Sequence, residues 1–306
     1  MLHVLEGFTT IGIVIAVGAF IAHIGLVDLS AQCLLNTVAF FVASPALLLT
    51  TIAHADVRDV LSGNLIATAC GVAVPVVVYA ASARLGWRHG VGHTVIGALS
   101  SAYVNAGNLG IPVAVYVLGN ASFVAPTLLL QLLVLQPFAL ALLDADRGGH
   151  APRARDIVVR PLTNPMTIGT LVGLLLSVTG WTLPTLVARP VDLVASLAVP
   201  GMLLAYGIAL RLGPGIGGEN RAELALTSGL KLVVQPLVVW AVADLVLGVQ
   251  GHALLAVVVC SALPTAQNVF VHASRYDRAP TLARDTILIT TIGSVPVIAL
   301  IALVLQ

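Results

Sequence analysis

Long apolar runs, separated by short polar segments, follow one another from end to end of this chain. A helix needs about 20 mostly apolar residues to cross roughly 30 Å of hydrocarbon. Ten runs approach that length: about 4–24, 31–53, 65–84, 94–119, 121–143, 165–180, 190–210, 223–247, 252–274 and 286–305. The pattern predicts an all-α polytopic membrane protein with ten transmembrane helices. The longest connection, 144–164, leaves no room for a soluble domain.

The fourth run changes this picture. Residues 101–112 read Ser-Ala-Tyr-Val-Asn-Ala-Gly-Asn-Leu-Gly-Ile-Pro in the middle of a span. Asn105, Gly107, Asn108, Gly110 and Pro112 are poor choices for an uninterrupted helix in lipid. Glycine adds backbone entropy, proline removes a donor, and each asparagine brings an amide that hydrocarbon cannot satisfy. The run predicts a helix that breaks at mid-membrane, where secondary transporters build substrate sites.

Composition strengthens the membrane reading: 58% of the 306 residues are hydrophobic and 9% charged, against roughly 25% charged in soluble domains. No Lys or Arg precedes the first apolar run, which is unlike a secretory signal, so the first span is expected to remain in the mature protein. Cys33, Cys70 and Cys260 all fall inside apolar runs and are expected as packing residues rather than disulfide partners.

Net charge is +1, which points to no nucleic-acid partner. The distribution of charge says more. If loops alternate sides, one set holds eleven arginines, among them Arg84, Arg88, Arg147 and Arg153, and the other only Arg58 and Arg189. The positive-inside rule then puts both termini outside and the 144–164 connection in the cytoplasm of a cell-membrane protein. The remaining basic residue, Lys231, lies within a span.

The connection divides the chain into residues 1–143 and 165–306, five spans each. An odd number of spans per half makes any repeat inverted, a recurring transporter architecture. Shifting the chain by 159 residues lays His93 on His252, Asn105 on Pro264, Asn108 on Gln267, Thr127 on Thr286 and Pro137 on Pro296 without a gap. Identity is low, but both halves place amides and a helix breaker at equivalent depth. The second break reads Ser261-Ala-Leu-Pro-Thr-Ala-Gln-Asn268. Pro264 removes a helical hydrogen bond, and Thr265, Gln267 and Asn268 follow it. If spans 4 and 9 cross at these breaks, the positive ends of two half-helices face the crossing and favour an anion.

These residues resemble a family. Asn105-Ala-Gly-Asn-Leu-Gly-Ile-Pro112, Asn164-Pro165, Val199-Pro-Gly-Met-Leu-Leu-Ala-Tyr-Gly-Ile-Ala-Leu210, Gln235-Pro236, Pro264-Thr-Ala-Gln-Asn268 and Tyr276-Asp277 follow one another as in the auxin efflux carrier family of permeases. That family includes plant PIN-formed auxin carriers and bacterial transporters of small organic acids such as malonate and malate. The resemblance covers essentially the whole chain. It implies two inverted five-helix repeats with helices 4 and 9 broken and crossed. It also implies a transport bundle of spans 3–5 and 8–10 moving against a scaffold of spans 1, 2, 6 and 7. A homodimer through the scaffold helices is a further expectation. Plant members carry a long loop between the halves; here it is short.

The expected function is therefore that of a secondary carrier for a small organic anion, a carboxylate, with Asn105, Asn108, Thr265, Gln267 and Asn268 as substrate contacts and no cofactor. Each could instead serve as polar glue or cap freed backbone groups. Lys231 either snorkels to the interface or takes part in binding or coupling. His272 is a candidate titrating group. Asn36 is expected as a helix cap. His89 and His93 have i, i+4 spacing, but no carboxylate or cysteine lies near them in sequence, so they are weak evidence for a metal. Gly169 and Gly173 predict a close helix contact.

Absences narrow the class. There is no Walker loop, no His-Glu-x-x-His and no Gly-x-Ser-x-Gly, so neither ATP hydrolysis nor an intramembrane hydrolase is expected. Neither break contains Asp or Glu, which disfavours a cation/proton antiporter of similar fold. An ion-coupled bile-acid-type carrier and a transporter-like ligand sensor remain as alternatives.

Overall fold

In hydrocarbon every backbone donor and acceptor has to be satisfied within the chain, and an apolar run does this most simply as a helix. The computed structural model describes residues 2–54, 63–148, 165–212 and 220–305. Among these residues the fold is all-helical, with no strand and one isolated antiparallel bridge between Val104 and Thr265. The helices are α1 (Leu2–His23), α2 (Leu29–Ala53), α3 (Asn64–Gly86), α4 (Val91–Ala102), α5 (Ile111–Tyr116), α6 (Ala121–Arg147), α7 (Pro165–Thr179), α8 (Thr185–Leu212), α9 (Arg221–Val246), α10 (Gly251–Ser261), α11 (Asn268–Tyr276) and α12 (Pro280–Leu305).

Six of these, α2, α3, α6, α8, α9 and α12, are long and apolar enough to cross a membrane. The Gly12–His23 part of α1, together with α7 and α10, are shorter apolar helices. The fourth and ninth apolar runs are each divided, one into α4 and α5, the other into α10 and α11. Large apolar side chains such as Phe20, Phe41, Val77, Leu175 and Leu303 stand exposed on the helices, as they would in contact with lipid. Most of the connection expected at 144–164 lies outside the described residues, including Arg153, Arg155, Arg160 and Asn164.

Local chemistry sets the helix ends. Asp28 caps α2 by accepting from the N–H groups of Ser30 (2.9 Å) and Ala31 (3.2 Å). With the Ser30 hydroxyl contributing most, these bonds hold its carboxyl below the ordinary aspartate value. Asn36, expected as a cap, instead lies within α2. Among the described residues Cys33, Cys70 and Cys260 form no disulfide.

Proline shapes the helix interiors. Widened π-helical turns cover Ala39–Ala43, Ala106–Gly110, Gln131–Leu135 and Leu230–Val234. Each ends two residues before a proline: Pro45, Pro112, Pro137 and Pro236. A proline ring clashes with the carbonyl one turn back and offers it no N–H. Widening the preceding turn accommodates both defects while the remaining ladder continues.

The chain forms two compact units. The first comprises Met1–Ser62, Ala106–Leu129 and Leu162–Pro214. It is built on close backbone approaches. A Cβ on Gly207 would lie 2.1 Å from the Ile15 carbonyl oxygen, and one on Gly18 would lie 2.4 Å from that of Leu204, so α1 and α8 meet through glycine. Gly169 and Gly173 do the same for α7 against Pro45 and Leu49 of α2, as their spacing predicts. The second unit comprises Gly63–Asn105, Leu130–Pro161 and Gly215–Gln306. Its core includes Ile96, Leu99, Tyr103, Leu143, Val269 and Tyr276, and it holds the Val104–Thr265 bridge.

Candidate substrate site at the helix crossing

Within the second unit, the breaks after α4 and α10 meet as two short extended segments. Asn105 N–H donates to the Pro264 carbonyl (2.8 Å) and Ala266 N–H to the Tyr103 carbonyl (3.0 Å), flanking the Val104–Thr265 bridge. Two unwound stretches thus satisfy part of each other's backbone, which is how non-helical chain survives deep in an apolar bundle. Val104, Asn105 and Thr265 are all buried.

Neighbouring spans supply the rest. The Gln131 amide clamps Val104 from both sides: its Oε1 accepts from Val104 N–H (2.6 Å) and its Nε2 donates to Val104 C=O (3.0 Å). Thr290 Oγ1 of α12 accepts from Thr265 N–H (3.1 Å). Thr265 Oγ1 donates to the Ser100 carbonyl (2.6 Å), so this hydroxyl serves the freed backbone of α4. From α9, Gln235 Nε2 donates to the Ala102 carbonyl (3.1 Å) and Lys231 Nζ to the Ser261 carbonyl (2.8 Å). Each of these carbonyls lies in the last turn of a half-helix, where the dipole is negative and a donor or cation is favoured.

Lys231 is fully buried, so its stem does not snorkel outward. Its nitrogen is drawn to the helix end ahead of Pro264. Tyr103 donates from its hydroxyl to Gln136 Oε1 (2.8 Å) and also neighbours the Asn268 side chain. Gln235 Oε1 and Asn268 Oδ1 are buried acceptors that take no hydrogen bond from the described residues. A water or a ligand O–H fits such positions.

The expected site residues therefore fall into groups. Asn105, Pro264, Thr265 and Asn268 are at or next to the crossing, with Gln267 half-buried beside them. His272 is half-buried further along α11. Gly107, Asn108, Gly110 and Pro112 belong to the other unit. There Asn108 is half-buried in the π-helical turn, and a Cβ on Gly107 would come within 3.2 Å of Met166 Cε. Pro112 sits in the first turn of α5, where its missing N–H costs no ladder bond.

Sequence reasoning missed Gln131, Gln235 and Thr290 as supports of the crossing. The first two carried a legible signal: an amide inside an apolar run close to a proline, the same anomaly that marked Asn105.

Comparison with known proteins finds similarity to transport proteins. Residues 153–302 match the family model described as membrane transport protein. A protein of Rhizobium meliloti (strain 1021) named "Putative malonate transporter" is 28% identical over 269 residues, covering 85% of this chain and 83% of its own length. An "Uncharacterized transporter" of Methanothermobacter thermautotrophicus (strain ATCC 29096 / DSM 1053 / JCM 10044 / NBRC 100330 / Delta H) is 26% identical over 307 residues, covering 98% of each chain. This multi-pass membrane protein is thus similar to membrane transport proteins over its second half and to two proteins named as transporters over most of its length.

Proposed function

We propose that the protein is a secondary carrier that moves a small carboxylate across the cytoplasmic membrane by alternating access. The observation that carries this reading is the unwound crossing of two half-helices inside an apolar bundle, backed by a buried lysine. Unwound backbone at depth is expensive unless it serves a path. The absence of Asp and Glu from both breaks favours an organic anion over a cation. The name of the Rhizobium meliloti relative makes malonate the first ligand to try.

The architecture we attach to this function has ten spans in two inverted five-helix repeats, 1–143 and 165–306. Spans 3–5 and 8–10 form the moving bundle and spans 1, 2, 6 and 7 the scaffold, through which a homodimer would form. Both termini face outward, a reading supported by the arginine bias of the loops. Single cysteines at Gly149 and Gly251, in a background lacking Cys33, Cys70 and Cys260, test the orientation. An impermeant thiol reagent on intact cells should label position 251 and miss position 149. Equal labelling of the two positions rejects the ten-span arrangement.

The substrate contacts we assign are Asn105, Asn108, Thr265, Gln267 and Asn268. Asn108→Ala and Gln267→Ala each remove an amide without adding bulk. A lost hydrogen bond to a charged group costs roughly 1.5–3 kcal/mol, or about tenfold and more in affinity. Malonate affinity by thermal shift and flux in proteoliposomes should both fall by that factor in each variant. Pro264→Ala acts through geometry: flux should fall while folded protein remains in the membrane. Wild-type binding and flux in both amide variants would make those amides structural glue. Binding without net translocation in the wild type would favour a sensor.

A further inference from the structure

We infer that His89, His93 and Glu223 of the second unit form a binding site for one divalent transition-metal ion of the zinc type. The inference does not depend on the carrier reading. Sequence spacing alone offered two histidines and no carboxylate, but the fold brings Glu223 to them from 130 residues away.

One ring nitrogen from each histidine and a Glu223 carboxylate oxygen all lie within 4.8 Å of one another. Both imidazoles aim Nε2 at the same oxygen, Oε1: His93 at 2.7 Å and His89 at 3.4 Å. Their rings stack, with centroids 3.7 Å apart and planes at 23°. His89 Nε2 is buried and makes no hydrogen bond among the described residues. A buried ring nitrogen converging with a second one on a carboxylate is a ligand atom without a ligand.

The surroundings hold this set in place. Glu223 is buried, and its Oε1 also accepts from the Tyr79 hydroxyl, whose ring packs on Gly97. Its Oε2 accepts from Asn220 Nδ2 (3.0 Å), and Asn220 caps α9 through the Glu223 N–H (3.1 Å). On the His89 side, Arg84 donates to the His89 carbonyl (3.0 Å). Hydrogen-bonded partners behind the ligands are what fix a metal site's geometry. The nearby Asp285 carboxylate is already paired with Arg284 (2.7 Å).

Two nitrogens in a set of three donors suit zinc rather than magnesium or calcium, which take oxygen. Tetrahedral zinc with ligands at about 2.0–2.1 Å places ligand atoms roughly 3.3 Å apart. The His89–Glu223 separation already matches. The His93–Glu223 pair opens by about 0.6 Å as the metal replaces the proton between them. A cavity of about 170 Å³ lined by His93, Asn220, Glu223 and Asp285 leaves the fourth position to water. The ion would tie the first turn of α4 and the residues just before it to the first turn of α9, a clamp within one unit.

The test uses full-length protein with its purification tag removed, stripped with a chelator and titrated with Zn²⁺ against a chromophoric competitor. The expected result is one equivalent per chain, a higher Tm with Zn²⁺ and none with Mg²⁺. His89→Ala and His93→Ala should each weaken binding at least tenfold, and His54→Ala, in the other unit, should leave it unchanged. Because Glu223→Gln could unfold the bundle, the half-exposed His89 carries the test. Co²⁺ supplies a second readout: visible bands of a four-coordinate ion in the wild type that disappear in His89→Ala. No Zn²⁺ binding, an equal response to Mg²⁺, or unchanged affinity in His89→Ala overturns the site and leaves a cluster that exchanges only protons.

Discussion

Gln131→Leu should destabilise the protein by roughly 2–6 kcal/mol, because it strands both polar groups of one buried peptide unit. Each unsatisfied buried donor or acceptor costs about 1–3 kcal/mol, and Gln131 serves the N–H and the C=O of Val104 together. Water cannot replace it, since Val104 is only 1% exposed. Gln235→Leu frees a single carbonyl, that of Ala102, and should cost about half as much. Unfolding in a fixed detergent, followed by tryptophan fluorescence, compares the two. If Gln131→Leu melts with the wild type, the crossing is held by its own bridge and the clamp is incidental.

Lys231→Met should separate stability from transport. Taking a cation out of water costs several kcal/mol, and an apolar residue of similar length removes that cost. The Ser261 carbonyl loses a donor at the same time, a penalty of about 1–3 kcal/mol. The two roughly cancel, so the Tm should stay within a few degrees of wild type or rise. Carboxylate flux should nevertheless fall at least tenfold, because the charge that biases the crossing towards anions is gone. A variant that transports at the wild-type rate would reduce Lys231 to a helix-end cap.

The helical class and the two interruptions were legible because both rest on local rules. An apolar run forms a helix wherever lipid is the solvent, and a cluster of amides with glycine or proline interrupts it, as at 103–105 and 262–267. Lys231 was legible as an anomaly but not in direction. Whether a lysine stem runs outward or inward depends on where the α10 carbonyls end, and that is a tertiary fact. Glu223 stayed hidden for the same reason: nothing within 130 residues marks it as the neighbour of His93. Gln131 and Gln235 repeated the polar-in-apolar signal of Asn105. They were passed over because each lies in a run that continues as helix, so their work is done on a neighbour rather than at a break of their own.

The π-helical turn at Leu230–Val234 holds a spare residue. An ordinary α turn would need one fewer, and closing the turn would push that residue along the axis by about 1.5 Å and swing everything beyond it by about 100°. Gln235 lies just past the turn and Lys231 within it. A change of winding at this one place would therefore move the two donors in different senses, releasing one half-helix end while the other stays held. The slack is confined to a single turn, so a change of winding there would turn the second half of span 8 against the first.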